Sequence, residues 1–421
     1  METLVNATRI EADYLLETPS DPRRVAEIMA GEQSSGTFVP VPGETPELKA
    51  RAAARIESLR ILGERVARPT LPSHAVRPDS TAQRALVTIS WPLDNLGPSL
   101  PNLIATVAGN LYELQDVTGL KLLDIRLPEA FANAYPGPRF GITGTRQLTD
   151  VARGPVIGTI IKPSVGLRAD ETAALVAKLC EAGIDFIKDD ELQADGATCP
   201  FEDRVRAVMR VIDESAQRTG KRTMYAFNLT GDVEQMKRRH DVLLSSGATC
   251  LMVSLNSVGL AGFSELARIA ELPIHAHRNG WGYLSRHPLL GWSYVAWQKL
   301  WRLAGADHMH VNGLASKFAE ADESVVQSAR ACLTPLFPGK PCLAMPVFSS
   351  GQSARQAPAT FASLKCTDLI VTAGGAIMAH PGGPAEGVVA LRQGWEAAEQ
   401  GAPLSEFAVT RPALKQALES A

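Results

Sequence analysis

Between about residues 155 and 372 the chain repeats one alternation eight times: a short apolar or β-branched run, then a helix-length amphipathic segment. The strand candidates are Pro155–Ile161, Asp185–Asp189, Arg222–Asn228, Cys250–Leu255, Pro273–His277, His308–Val311, Cys342–Phe348 and Leu369–Thr372, each bounded by Gly, Pro, Asp or Asn. Within Phe201–Gly220, Val205, Val208 and Ile212 recur at helical spacing, and Leu175, Leu179, Val242 and Val325 begin similar stripes in neighbouring segments. Gly183, Gly220, Gly247 and Gly305 follow four of these segments, where a left-handed residue closes a helix. Crossovers this short require parallel pairing. Eight such units close as a (β/α)8 barrel, and an open doubly wound sheet is the competing arrangement. The count of eight favours the barrel.

Residues 1–145 read differently, as an α+β, ferredoxin-like N-terminal domain ahead of a barrel domain at 146–421, with Pro136–Arg139 as the junction. Thr8–Leu16, Arg84–Pro92 and Leu120–Leu127 are strand candidates; Pro22–Ala30 and Leu103–Leu114 are helix candidates. The Ala50–Arg68 stretch, rich in Arg, Ala and Leu, reads as helix on propensity alone, and its assignment stays open.

Composition narrows the class of function. Lys plus Arg total 42 against 45 Asp plus Glu, a net charge of -3, so the basic footprint of a dedicated nucleic-acid binder is missing. Met1–Tyr14 carries Glu2, Arg9, Glu11 and Asp13 with no apolar stretch, unlike a secretory signal, and no window has the length of a membrane span. The six cysteines are scattered with no CxxC pair, as expected of reduced thiols in a cytoplasmic protein.

Catalytic groups of such a barrel sit at the carboxyl ends of its strands, and here every end is polar, ionisable or glycine-rich. The second strand ends Lys188-Asp189-Asp190-Glu191. Alternation puts Lys188 and Asp190 on one face, with Glu191 brought round as the chain leaves the sheet. Hard oxygens suit Mg2+ better than zinc, but two carboxylates are few, so substrate oxygens and water would complete the octahedron. A charged loop in which Lys188 only pairs with Asp190 or Glu191 is the plain alternative. Lys162 ends the first strand in an apolar run that would favour a neutral, basic amine, although pairing with a phosphate or carboxylate would place it there equally well. His277, Arg278 and His310 would meet across the barrel mouth if the fifth and sixth strands are neighbours. A hydrogen-bonded structural role is the ordinary reading for His275 or His308. Gly351, Gly374 and Gly375 lie in the two loops where barrels hold phosphate, and together they outweigh the ordinary turn reading. Lys317, in the loop after the sixth strand, could close over a substrate or be a solvated surface lysine.

Taken in order, Gly158-Thr159-Ile160-Ile161-Lys162-Pro163, Asp185-Phe186-Ile187-Lys188-Asp189-Asp190-Glu191 and His308-Met309-His310 resemble ribulose bisphosphate carboxylase/oxygenase (RuBisCO), especially its RuBisCO-like relatives. Glu32-Gln33-Ser34-Ser35-Gly36-Thr37 and Gly109-Asn110 add to a likeness that covers nearly the whole chain. The resemblance implies that Lys188 takes up CO2 as a carbamate, the third ligand for Mg2+ beside Asp190 and Glu191. It implies Lys162 as the base that yields an enediolate and His277 as an acid/base or hydroxyl-orienting group. One phosphate set would be Arg278, His310 and Ser349; the other Thr37, Gly351, Gly374 and Gly375, with Lys317 on the mobile loop. Glu32 and Asn110 would reach the site from a neighbouring subunit, implying a head-to-tail homodimer that could assemble further.

Two departures bear on the reaction. Carboxylating members carry a second lysine where this chain has Ser164, and Phe38 replaces the usual tryptophan. A hydroxyl supplies no cation to a developing carboxylate, which argues against fixing CO2 on ribulose bisphosphate. The expectation is an Mg2+-dependent enzyme that forms an enediolate from a phosphorylated keto sugar acid, by decarboxylation or by transcarboxylation and hydrolysis, as in relatives acting on 3-oxo-isoapionate 4-phosphate. The alternatives are an enolase or isomerase of a methylthio-pentulose phosphate and a non-catalytic phosphate-ligand binding protein.

Overall fold

The computed structural model describes residues 8–36 and 41–420. Thirteen strands are present among them: β1 Arg9–Thr18, β2 Arg55–Val66, β3 Ala82–Pro92, β4 Gly119–Arg126, β5 Val156–Ile160, β6 Phe186–Lys188, β7 Met224–Asn228, β8 Cys250–Ser254, β9 Ile274–His277, β10 Leu290–Trp292, β11 His308–His310, β12 Met345–Phe348 and β13 Ile370–Thr372. The chain divides into two compact units, residues 1–135 with 280–303, and residues 136–279 with 304–421.

In the first unit the sheet order is β10-β4-β1-β3-β2. β1 runs antiparallel to β3 and β4, and β2 antiparallel to β3. Period-two alternation turns Ile10, Ala12, Tyr14 and Leu16 of β1 and Ala85, Val87, Ile89 and Trp91 of β3 inward. The helix Leu100–Ala108 covers this face, and Tyr14 donates its hydroxyl to Val107 O at 2.6 Å. With the helix Pro22–Glu32, the order βαββαβ is the expected ferredoxin-like one.

The open Ala50–Arg68 assignment resolves mostly as strand. A short helix, Pro46–Ala52, ends just before β2, which lies at the sheet edge and pairs only with β3. Its charged residues (Arg55, Glu57, Arg60, Glu64, Arg65) and two register shifts suit an exposed edge, and they hide the alternation that identifies a strand. Residues 280–303 depart from the chain order of a plain barrel. They contribute β10, which pairs parallel to β4, and a run of aromatic contacts joining Trp281, Tyr294, Trp297 and Trp301.

In the second unit all eight remaining strands pair in parallel and close, with β13 returning to β5. The eight sequence-based strands are these eight. Val156, Phe186, Met224, Ala226, Cys250, Met252, Met345, Val347 and Ile370 fill the interior as alternate residues of successive strands. The helix Phe201–Thr219 buries Val205, Val208 and Ile212 and ends at Gly220 with φ +75°, a backbone state costly for any residue with a Cβ. The closed barrel thus sets the ends of β5, β6, β9, β11, β12 and β13 around one mouth.

Candidate active site

Lys188, the last residue of β6, is buried to 1% exposure, with its Nζ 2.7 Å from Asp189 O and 3.6 Å from Glu191 Oε2. Burial pulls its pKa down, against the raising effect of Glu191 and Asp190. A larger neutral fraction is what an amine needs to attack CO2. Glu191 Oε2 also lies 3.4 Å from His277 Nε2, so one carboxylate oxygen stands between the β6 lysine and the β9 histidine. Burial would raise Glu191, but His277 and Lys188 outweigh it and hold the carboxyl below its ordinary range. His277 is pushed down to about 4, first by burial and then by the Lys188 charge. Its Nδ1 accepts the Asn279 N–H at 3.2 Å, which leaves Nε2 to carry the ring proton toward Glu191.

Lys162, two residues beyond β5, donates to Asp190 Oδ2 at 2.6 Å and to Ser164 Oγ at 2.8 Å. Burial acts to raise Asp190, yet the Lys162 hydrogen bond and the Leu192 N–H hold it low and ionised. Asp189 points to the other side of β6, where Arg204 Nε at 3.2 Å, Tyr225 OH at 2.6 Å and Asn228 N at 2.9 Å satisfy it. Asn228 also donates to Glu191 O and Gln193 O, bracing the turn that presents both acidic residues. Strand alternation thus separates the two aspartates, one facing the site and one serving structure.

On the far side, Arg278 donates to Glu320 Oε2 at 2.5 Å, and Asn312 Nδ2 reaches the same oxygen at 2.8 Å. His310 Nδ1 is 3.2 Å from Ser349 Oγ. The Gly374 backbone comes close to Lys162, since a Cβ there would be 3.6 Å from Lys162 Cε. Gly351, at φ +83°, abuts Lys317, while Gly375 faces open space. Lys317 itself is exposed with its amine over the Phe318 ring. Glu32 and Asn110 belong to the first unit, where Asn110 Nδ2 donates to Glu32 Oε1 at 3.0 Å. Thr37 and Phe38 lie outside the described residues.

Sequence reasoning passed over Glu320, which grips Arg278, and Asn228 as a brace. Asn228 stands out in the sequence as the polar end of the third barrel strand, though not as a brace; Glu320 has no signal beyond a charge in a loop. No group of three His, Cys, Asp or Glu side chains that could hold a metal occurs among the described residues. The donor set is two carboxylates and an amine, and it fits a hard divalent cation once the amine of Lys188 becomes a carbamate. Also among these residues, no helix is long and apolar enough to cross a membrane.

The pattern of the ribulose bisphosphate carboxylase large chain, catalytic domain, matches residues 141–336 and 339–421, and that of its N-terminal domain matches residues 12–131. A 3-oxo-isoapionate-4-phosphate transcarboxylase/hydrolase of Xanthobacter autotrophicus is 58% identical over 97% of this chain and 98% of its own length. A 3-oxo-isoapionate-4-phosphate decarboxylase of Rhizobium etli is 46% identical over 96% and 97%. The crystal structure of a rubisco-like protein from Burkholderia fungorum superposes with a TM-score of 0.92 at 48% identity, covering 98% of this chain and 99% of that one.

Proposed function

Since the chain belongs to the ribulose bisphosphate carboxylase large-chain family, in its RuBisCO-like branch, we propose that it turns over a phosphorylated β-keto sugar acid of the 3-oxo-isoapionate 4-phosphate type. The supporting observation is the cluster in which Lys162 meets Asp190 while buried Lys188 and His277 share Glu191. Carbamylated Lys188, Asp190 and Glu191 would hold Mg2+, which when bound supplies a Lewis acid that polarises a substrate carbonyl. Lys162, at the carboxyl end of β5, moves the proton on the adjacent carbon. Cleavage of the C–C bond to the carboxylate releases CO2 and leaves its electron pair in an enediolate, which one proton then quenches. His277, kept neutral by burial, offers its Nε2–H as a hydrogen bond to the substrate oxygen that gains negative charge, and the protonated amine of Lys162 returns the quenching proton. Arg278, His310 and Ser349 would grip the phosphate, and Gly351, Gly374 and Gly375, with Thr37, a second anionic group. Ser164 occupies the position of the carboxylating lysine and accepts a hydrogen bond from Lys162, so it positions the base where a cation would have served CO2 capture. The assembly is a homodimer, with Glu32 and Asn110 completing the partner's site.

The test is 13C tracing by NMR, with the keto acid phosphate, Mg2+ and labelled bicarbonate or carboxyl-labelled substrate. CO2 release alone indicates decarboxylation; label in a new product carboxylate indicates transcarboxylation and hydrolysis. Neither outcome, with the substrate carbons merely rearranged, would overturn the proposal. Solvent deuterium exchange at the substrate carbon should be lost in Lys162→Met and kept in Lys317→Ala.

A further inference from the structure

Three imidazoles form a string through the barrel interior. His310 Nε2 is 2.7 Å from His275 Nε2, His275 Nδ1 is 3.4 Å from His308 Nδ1, and His308 Nε2 is 2.8 Å from Thr145 Oγ1. His310 Nδ1 continues the string to Ser349 Oγ. Strand register accounts for it: His308 lies level with His275 on neighbouring strands, and His310 follows two residues on, on the same face. His275, His308 and Thr145 are fully buried and His310 is 3% exposed.

The direction of these hydrogen bonds can be derived. Burial makes all three rings neutral, pushing His308 down to about 3 and His275 and His310 well below the ordinary imidazole range. Each therefore carries one ring proton. The single hydroxyl hydrogen of Thr145 is taken by the Gly141 carbonyl, which can only accept. Thr145 must then accept from His308, which places the His308 proton on Nε2 and leaves a lone pair on Nδ1. His275 has to present N–H from its Nδ1, because the opposite choice sets two lone pairs face to face. His275 Nε2 becomes the acceptor for His310 Nε2–H, and His310 Nδ1 accepts from the Ser349 hydroxyl, whose other acceptor within reach is Ser350 Oγ at 3.3 Å, itself donating to Asn312 Oδ1. The string ends blind, at a buried hydroxyl already donating to a carbonyl, so it orients groups and has no outlet for a proton.

We propose that Thr145, His308 and His275 are positioning residues that lock His310 as the Nε2–H tautomer, turning the Ser349 hydrogen inward and leaving only its oxygen lone pairs for a ligand. The ligand-facing half of this inference rests on the reading of His310 and Ser349 as an anion-binding pair; the tautomer half does not. A site so poised leaves Arg278 as the charged donor to a phosphate and turns the Ser349 oxygen to a phosphate O–H, so that the His310–Ser349 pair takes part in the grip as an acceptor.

The experiment uses the full-length protein with 15N-labelled histidine, whose two-bond 15N–1H couplings distinguish the two tautomers. Wild type and Thr145→Ser should show His310 protonated on Nε2. Valine cannot accept, so in Thr145→Val each ring keeps one proton but moves it to its other nitrogen. His310 Nδ1–H then donates to Ser349, whose hydroxyl is released from the ring to donate to Ser350 Oγ or to a bound anion. Calorimetric titration with inorganic phosphate should show binding tighter by roughly threefold to tenfold in Thr145→Val, the effect of one added hydrogen bond, and unchanged in Thr145→Ser. A wild-type spectrum with His310 protonated on Nδ1, or an unchanged His310 tautomer in Thr145→Val, would overturn the inference. Should the valine variant not fold, the wild-type and serine spectra still decide the tautomer. A tautomer switch with unaltered phosphate affinity would overturn the anion-pair reading and leave the string's polarity standing.

Discussion

Asp307, just before β11, accepts the N–H groups of Phe140 and Gly141 at 2.7 Å and of Ile274 at 2.8 Å, tying the entrance of the helix Gly141–Thr149 to the base of β9. Burial pushes its pKa up from 3.8 to about 6 despite those donors. The folded state therefore binds this proton more tightly than the unfolded chain. Its stabilising contribution is complete below the unfolded value and is lost as pH rises through about 6, a loss on the order of 3 kcal/mol. Urea denaturation at a series of pH values should show stability falling between about pH 4 and pH 6 from this residue, and Asp307→Asn should flatten that segment. At this scale the sequence displayed the chemistry but not the partnerships. Lys162, Lys188, Asp190 and Glu191 stood out because strand ends are few and charges there are conspicuous. Alternation turns Asp189 away from the site, but that its partners there are Arg204 and Tyr225, or that Glu320 grips Arg278, depends on tertiary geometry that no local spacing encodes.

Among elements, the eight barrel strands were legible because each is an apolar run closed off by turn residues. The edge strand β2 was not, since its charged residues mask the alternation. β10 was missed for another reason: three residues are too few to show a period. It depends on Gly291, at φ +90°, where a Cβ would fall 1.8 Å from Leu284 O. Gly291→Ala should weaken the first unit by about 1–3 kcal/mol, read from urea unfolding followed by the fluorescence of Trp281, Trp292, Trp297 and Trp301. The loop after β11 is held by Gln352 Nε2 donating to Leu314 O at 3.1 Å and by Lys317 N donating to Ser350 O at 3.3 Å. Gln352→Ala removes the first of these ties. Its expected effect is a lower turnover number with deuterium exchange at the substrate carbon preserved, which steady-state kinetics and NMR would separate.

For the whole molecule, the proposed sharing of a site between subunits makes a complementation prediction. Glu32→Gln and Lys188→Met should each be inactive alone. Dissociated and reassembled together in equal amounts, they should recover about one quarter of wild-type activity, because half the dimers are mixed and each of those has one intact site. No recovery in a verified mixed dimer would place every essential group on one chain. The parallel pairing of β10 with β4 also constrains the order of synthesis. β4 ends at Arg126, but the strand that covers its edge is not complete until Trp292, well into the barrel's coding sequence. A nascent chain therefore emerges from the ribosome with the amino-terminal sheet exposing an unpaired β4 border while it grows from Arg126 to Trp292. A fragment stopped at Tyr135 keeps that border permanently and should self-associate, so early termination yields an adhesive product, not a harmless one.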